Sequence, residues 1–203
     1  YEIGVRLVGS EMCIRDSVAG EAVKPGVTTY EIDNIVRSYI EKQGAVPSFL
    51  GYGGFPASAC ISVNNVVIHG IPSKELVLKE GDIVSVDVGA FYGGFHGDNA
   101  FTFPCGKISA DAQALLDATK ESLYEGIKQA LAFNRVGDIG NAVQKYVEAR
   151  SYSVVRDFVG HGVGAKLHED PSVPNYGTAH RGVRLIPGMT CLLYTSPSPR
   201  DGL

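Results

Sequence analysis

Two apolar stretches, Ile83–Ala90 and Phe95–Phe103, flank the sequence Tyr92-Gly93-Gly94. Consecutive glycines suit the tight turns that join antiparallel strands, because glycine adopts positive φ without steric cost. The pattern therefore predicts a β-hairpin, which constrains the fold more than any other feature of the sequence. A hairpin requires an antiparallel sheet whose apolar face is covered by another layer of secondary structure.

Helices and further strands are predicted on both sides of this hairpin. The segment Val27–Gln43 can be capped by Thr28 or Thr29, and Gly44 ends it. Its apolar stripe consists of Ile32, Ile35, Val36, Tyr39 and Ile40. The other predicted elements are helices at Ala110–Ala132 and Ile139–Ala149 and β segments at Ala59–Ile68 and Ser153–Phe158. The first of these β segments contains a predicted turn at Asn64-Asn65. This mixture favours an α+β fold with a curved antiparallel sheet backed by helices.

The composition is that of an ordinary globular protein and restricts the partners. The chain has 203 residues, 44% of them hydrophobic, which predicts one domain. A net charge of -4 disfavours nucleic acid and anionic membranes as partners. No apolar run approaches the roughly 20 residues of a membrane span. Four cysteines without a C-x-x-C pair indicate neither a disulfide framework nor a zinc knuckle, so we expect a reducing cytoplasmic setting.

The two ends of the chain are related through the genetic code. Residues 7–16, LVGSEMCIRD, can be encoded by CTC GTG GGC TCG GAG ATG TGT ATA AGA GAC, followed by AG. The reverse complement of this string, read from its second base, encodes CLLYTSPSPR, the sequence of residues 191–200. The string resembles a transposase-type sequencing adapter. We therefore expect residues 1–17 and 191–203 to derive from an adapter and residues 18–190 to be the natural segment.

Two aspartates lie in the hairpin strands. A hairpin that turns about Tyr92-Gly93 would place Asp87 directly opposite Asp98, with Cβ atoms roughly 4.5–5.5 Å apart. Like charges at this spacing are costly unless a cation lies between them or one carboxyl is protonated. The pair therefore predicts a site for one or two divalent metal ions. The alternative is that one Asp is a solvated edge residue in a different register.

Histidines near these strands are further candidates for the site. His161 lies in the sequence GHGVG, where the flanking glycines let the backbone come close, and His168 follows seven residues later. Imidazole and carboxylate together suit Mn, Fe, Co or Zn. His69 follows an apolar β run and can border the same site. Each histidine can instead be a strand-end or capping residue satisfied by backbone, and His96 is interpreted as structural.

Aromatic residues and glycines are concentrated in FLGYGGFP, residues 49–56. Together with Cys60 this segment predicts either an apolar pocket beside the site or an ordinary core cluster under a loop. The pattern of residues favours neither interpretation over the other.

Several short motifs resemble those of the type I methionine aminopeptidase family, in family order and over nearly all of residues 18–190. The matching segments are Val23–Thr28, Cys60–Asn64, Val67–Pro72, Gly81–Val84, Asp87-Val88, Gly94–Asp98 and Gly160–Pro171. Residues 18–190 are therefore interpreted as a partial catalytic domain of this family. Without an amino-terminal zinc-finger extension, the bacterial form is expected.

The resemblance implies the pita-bread fold of creatinase and the aminopeptidases, here incomplete, with two pseudo-symmetric halves around a dinuclear metal site. It implies removal of the initiator methionine from the N-terminus of nascent polypeptides, by a cytoplasmic monomer that works close to the ribosome. The implied chemistry is metal-assisted hydrolysis, in which cations lower the pKa of bound water.

The resemblance also assigns roles to individual residues. The family's metal ligands correspond to Asp87, Asp98 and His161. His69 corresponds to the histidine that contacts the substrate, and His168 to the histidine that helps to stabilise the tetrahedral intermediate. The positions of the methionine pocket correspond to Phe49, Tyr52, Phe55, Cys60 and Leu167. Three of these depart from the family, in which Cys, Tyr and Phe are common where this chain has Phe49, Phe55 and Leu167.

The chain departs from the family after Thr190. The family has two glutamate ligands beyond this point, one of which also shuttles a proton. Here Thr190 is followed by CLLYTSPSPRDGL, which contains no glutamate. The complete enzyme is expected to hold two divalent ions (Co, Mn, Fe or Zn), and this chain at most one, weakly bound. We predict that the 203-residue chain has little or no activity.

Two other functions remain as alternatives. Another peptidase of the same fold, such as an Xaa-Pro aminopeptidase or prolidase, would be expected to show a different histidine-rich pattern. A non-catalytic binding module would not need the Asp87 and Asp98 pair together with His161. The Cys-Ile-Ser-Val-Asn and His-Gly-Ile-Pro motifs favour the methionine enzyme.

Overall fold

The predicted hairpin is present in the computed structural model, which describes residues 18–193 and 197–199. Strands β3 (Ile83–Tyr92) and β4 (Phe95–Pro104) pair antiparallel along their whole length. Tyr92 is opposite Phe95, so Gly93 and Gly94 alone form the turn. Both glycines have positive φ, 59° and 91°, as a two-residue type I′ turn requires.

The chain divides into two compact units. The first comprises the described residues up to Ser109 together with Ala165–Leu167, and the second comprises Ala110–Gly164 and the described residues from His168 onward. Among the described residues, every helix is too short or too polar to traverse a lipid bilayer.

In the described part of the first unit, a long helix packs on an antiparallel sheet, and a short helix, Gly20–Ala22, precedes it. In addition to the hairpin, the sheet contains β1 (Val46–Pro47) and β2 (Ala59–Val63), both of which pair antiparallel with β3. Helix α1 (Thr29–Lys42) begins with a capping box, in which Thr28 and Glu31 satisfy each other's backbone N–H groups. The apolar cluster between α1 and the sheet is formed mainly by Ile32, Val36, Ile40, Ala59, Ile61, Val84, Val86 and Val88.

This first unit confirms the predicted helix and corrects two details. Ile35, predicted in the apolar stripe, is 42% exposed. The turn predicted at Asn64-Asn65 is present, with Asn64 at positive φ (53°), but the strand ends at Val63 and does not resume towards Ile68. The Val66 N–H donates to the Val63 carbonyl, which closes this turn. No strand therefore leads into His69 within the described part of this segment.

The described residues of the second unit form two helices and two small sheets. Helices α2 (Ala110–Gln129) and α3 (Val136–Glu148) approach closely at Gly126, where a Cβ atom would lie 2.9 Å from Val143. Strand β6 (Gly160–Gly162) pairs antiparallel with β7 (Glu169–Val173) and β8 (Cys191–Leu192), and β5 (Tyr152–Val154) pairs with β9 (Pro197–Pro199).

Two predicted bounds in this unit were inaccurate. Helix α3 begins at Val136 rather than Ile139, because the Asp138 carboxylate accepts the Arg135 N–H and caps the first turn. The strand predicted at Ser153–Phe158 is limited to Tyr152–Val154. Two short strands, β8 and β9, lie in the segment expected to derive from an adapter, an origin that stays a prediction. Short strands can form there because the pairing uses backbone groups, which nearly every residue supplies.

Candidate metal and substrate site

The face of the sheet opposite α1 carries the two predicted carboxylates. In β3 and β4, alternate residues share a face, so the buried valines point to α1 while Asp87 and Asp98 point away. The predicted direct opposition of these two aspartates is wrong. Asp87 is paired with Ala100, and Asp98 with Gly89, because the turn is formed by two glycines. The carboxylates are therefore diagonal neighbours on one face, within reach of each other.

The two carboxyl groups interact despite this shift. The pKa of Asp87 is raised well above its usual range, first by burial, then by the charge of Asp98 and by a hydrogen bond with Asp98. The Val88 N–H opposes this rise by donating to the Asp87 carboxylate. Asp87 Oδ1 is buried and has no hydrogen-bond partner among the described residues. A buried oxygen of this kind, next to a second carboxylate, fits a divalent cation.

Cys60 lies next to Asp87 as its paired residue on β2. Its side chain is buried, and its thiol pKa is raised, first by burial and then by the charges of Asp87 and Asp98. The group is therefore a protonated thiol at neutral pH and behaves as a small apolar side chain.

Four of the five predicted pocket residues form one apolar cluster. Phe49, Cys60 and Leu167 are buried together, and Phe55 packs against them. The ring of Phe49 also lies over Gly89, where a Cβ atom would be only 2.6 Å from the ring. The fifth residue, Tyr52, is 52% exposed in a short 3₁₀ turn and does not belong to this cluster.

His161 and His168 lie side by side in the second unit. Their ring centroids are 4.1 Å apart. His161 Nδ1 is 2.8 Å from the Gly162 carbonyl oxygen. Since a carbonyl only accepts, Nδ1 carries the proton in this contact and the lone pair resides on Nε2. This is the tautomer in which Nε2 can bind a metal ion.

His69 and His96 have different surroundings in the first unit. His69 is exposed and has a positive φ of 56°, and the next residue, Gly70, is bonded to β2. His96 Nδ1 lies 2.9 Å from Ser48 Oγ, and its ring centroid is 4.6 Å from that of Phe91. These contacts are consistent with the structural interpretation of His96.

The predicted ligands belong to both units, Asp87 and Asp98 to the first and His161 to the second. Over residues 18–193 and 197–199, no group of three or more His, Cys, Asp or Glu side chains is arranged to hold a metal ion.

The sequence pattern did not indicate Ser62, whose hydroxyl accepts the Gly70 N–H. Its alternation with Cys60 would have placed it on the face of the sheet that carries Asp87.

The fold is that of a metallopeptidase. The chain belongs to metallopeptidase family M24, whose family model matches residues 12–194. Its relatives include methionine aminopeptidases from Clostridium acetobutylicum, 55% identical over 83% of this chain and 68% of the relative, and from Bacillus subtilis, 49% identical over 93% and 76%. This confirms the resemblance to the methionine aminopeptidases, which remove N-terminal methionine.

Solved structures support the same assignment. The methionine aminopeptidase from Thermotoga maritima aligns with a TM-score of 0.85 and 38% identity over 96% of this chain and 82% of that chain. An Xaa-Pro dipeptidase from Bacillus anthracis aligns with a TM-score of 0.72 at 24% identity, a likeness that concerns the fold alone. The predicted α+β pita-bread fold is therefore confirmed, and the Xaa-Pro alternative is not favoured. The family implies dependence on divalent metal.

Proposed function

We propose that the functional residues of this chain serve the metal-dependent removal of the N-terminal methionine from nascent polypeptides. The observation that carries the proposal is the Asp87 and Asp98 pair, with a buried carboxylate oxygen that lacks a hydrogen-bond partner among the described residues. A pair of this kind is destabilising without a cation and favourable with one. A non-catalytic module would have no need of it.

Asp87, Asp98 and His161 are proposed to hold the metal, with His161 binding through Nε2. Carboxylate oxygens and a neutral imidazole are a donor set for Mn, Fe, Co or Zn. A bound divalent ion would polarise the scissile carbonyl and lower the pKa of its water. Two ions are proposed for complete enzymes of the family. At most one weakly held ion is proposed here, because Asp87, Asp98 and His161 are the three proposed ligands.

The apolar cluster is proposed to accept the methionine side chain. Phe49, Phe55, Cys60 and Leu167 offer an apolar lining, and the protonated thiol of Cys60 avoids placing a negative charge beside the thioether. A buried apolar pocket of this kind selects by shape and excludes charged first residues. Tyr52 is proposed to contribute at the exposed side of the pocket.

The two remaining histidines are proposed to act on the peptide itself. His69 would hydrogen-bond the scissile amide, and His168 would donate to the oxygen that gains negative charge during attack. The ring of His161 lies beside that of His168, so the proposed ligand and the proposed donor have neighbouring positions in one unit.

The proposed setting is the cytoplasm, close to the ribosome, with a monomer acting on emerging N-termini. The net charge of -4 supports a role without nucleic-acid or membrane binding.

Metal binding tests this proposal directly. We expect Mn²⁺ to bind the chain, measured by electron paramagnetic resonance of the free ion and by calorimetry, and Asp98→Ala to weaken binding at least about ten-fold. Asp111→Ala, at an exposed aspartate of α2, is the matched control and should bind as the unmodified chain does. Equal Mn²⁺ affinity in Asp98→Ala and Asp111→Ala would contradict the proposal.

A further inference from the structure

Gly70, the residue after His69, is held at both of its backbone polar groups by two consecutive residues of β2. Ser62 Oγ accepts the Gly70 N–H at 3.1 Å, and the Ile61 N–H donates to the Gly70 carbonyl at 2.8 Å. Ser62 is 4% exposed, so its hydroxyl is a fixed acceptor rather than a mobile surface group. One of the two bonds is thus made by a side chain of β2, and Gly70 itself does not belong to a strand.

The approach of Gly70 to β2 is as close as a backbone allows. A Cβ atom at this position would lie 2.2 Å from the Ile61 carbonyl oxygen and 2.8 Å from Ser62 Cα. Only glycine can occupy such a position. His69, immediately before it, adopts a φ of 56°, a left-handed conformation that is uncommon for non-glycine residues.

Ser62 connects this segment to the candidate site. It lies two residues after Cys60 on β2, so both side chains point to the same face of the sheet. Cys60 is paired with Asp87, and Ser62 with Ser85, two residues from Asp87 on β3. The strand that bonds Gly70 is therefore the strand that carries part of the pocket and adjoins the carboxylate pair.

We propose that Ser62 is a positioning residue for His69. By accepting the Gly70 N–H, its hydroxyl holds the backbone on which the His69 imidazole is mounted and sets the direction from which that imidazole meets a peptide. The inference deepens the proposed function and rests on it for the role of His69. Ser62 is not assigned a contact with substrate or metal.

Nuclear magnetic resonance of the full chain tests the proposal without relying on turnover. In the unmodified chain, the Gly70 amide is expected to be protected from hydrogen exchange, although it belongs to no strand. Ser62→Ala should accelerate its exchange about five- to ten-fold and shift the imidazole Cε1–H signal of His69. Ser62→Thr retains the hydroxyl and should restore both readouts. Ser85→Ala, at the register partner of Ser62, is the matched control and should change neither.

Addition of the dipeptide Met-Gly separates this inference from the proposed function. We expect Met-Gly to perturb the His69 signal in the unmodified chain and less so in Ser62→Ala. If Ser62→Ala accelerates exchange of the Gly70 amide and shifts the His69 signal, but Met-Gly perturbs no signal, the positioning role of Ser62 is supported. The proposed role of His69 in contacting the substrate is then refuted. If Met-Gly perturbs His69 equally in both chains, positioning is refuted. An unprotected Gly70 amide in the unmodified chain refutes it as well, even where Ser62→Ala does not fold.

Discussion

Asp33 joins α1 to the start of β2 and offers a quantitative test of this arrangement. The side chain is 6% exposed, and its Oδ1 accepts the Ser58 N–H at 2.9 Å and the Ala59 N–H at 2.8 Å. Asp33→Ala would leave two buried donors without a partner, each costing about 1–3 kcal/mol. We therefore expect the free energy of unfolding to fall by about 2–6 kcal/mol. Urea unfolding followed by far-UV circular dichroism is the assay, since the chain contains no Trp.

Asp33→Asn separates the contribution of the hydrogen-bond acceptor from that of the negative charge of Asp33. Asn retains an Oδ1 that can accept both N–H groups, so we expect a change of within about 1 kcal/mol. Glu41→Ala, on the same helix at an exposed surface ion pair with Arg37, is the control and should cost about 0.5 kcal/mol or less. Equal losses for Asp33→Asn and Asp33→Ala would refute the reasoning, as would a loss below about 1 kcal/mol for Asp33→Ala.

The pH dependence of stability provides a second readout of the same residue. Burial raises the pKa of Asp33 above its usual range, while the Ala59 and Ser58 N–H groups and the charge of Arg37 lower it. A carboxyl with a raised pKa binds its proton more tightly in the folded state. The stabilisation that Asp33 gains from this tighter proton binding is thus fully present below the usual pKa of about 3.9. It is lost as pH rises through the folded-state pKa. Asp33→Asn should remove this slope.

Three further predictions concern packing, the pocket and a helix cap. Ile32→Ala, at a fully buried residue, should lower the free energy of unfolding by about 2–5 kcal/mol in urea titrations, and a loss below about 1 kcal/mol would contradict the assigned core. Gly89→Ala should displace the Phe49 ring and weaken calorimetric binding of methioninamide, whereas unchanged affinity would exclude this cluster as the methionine pocket. The pKa of Asp138 is lowered, first by the His180 N–H and then by the Arg135 N–H. The contribution of Asp138 to the free energy of unfolding is therefore present above pH about 3.9 and lost at lower pH. Asp138→Asn should make the free energy of unfolding depend less on pH below about 3.9. A profile identical to that of the unmodified chain would contradict this assignment.

Residue periodicity was sufficient to predict the main elements of the first unit. The apolar spacing of Ile32, Val36 and Ile40 identified α1, and Gly93-Gly94 identified the hairpin. Periodicity also placed Asp87 and Asp98 on one face, since a register shift of two residues leaves the face of each side chain unchanged. The same periodicity could not determine which residue is opposite which. That depends on the conformation of the turn, here two glycines with positive φ.

Contacts between residues distant in sequence were decided by the tertiary structure alone. Leu167 belongs to the cluster of Phe49 and Cys60, more than one hundred positions away, and only the family resemblance suggested it. Ser62 and Gly70 are bonded because the chain turns at Asn64 and returns to β2. The two asparagines predicted this turn, but not which residues it brings together.

The sequence alone therefore determined the residue types of the site and the face on which the carboxylates lie. Both follow from local alternation, which is a property of neighbouring residues. Tertiary structure decided the diagonal arrangement of Asp87 and Asp98, the membership of the apolar cluster and the hydrogen bond from Gly70 to Ser62. These depend on turn geometry and on packing between distant segments, and no local pattern encodes either.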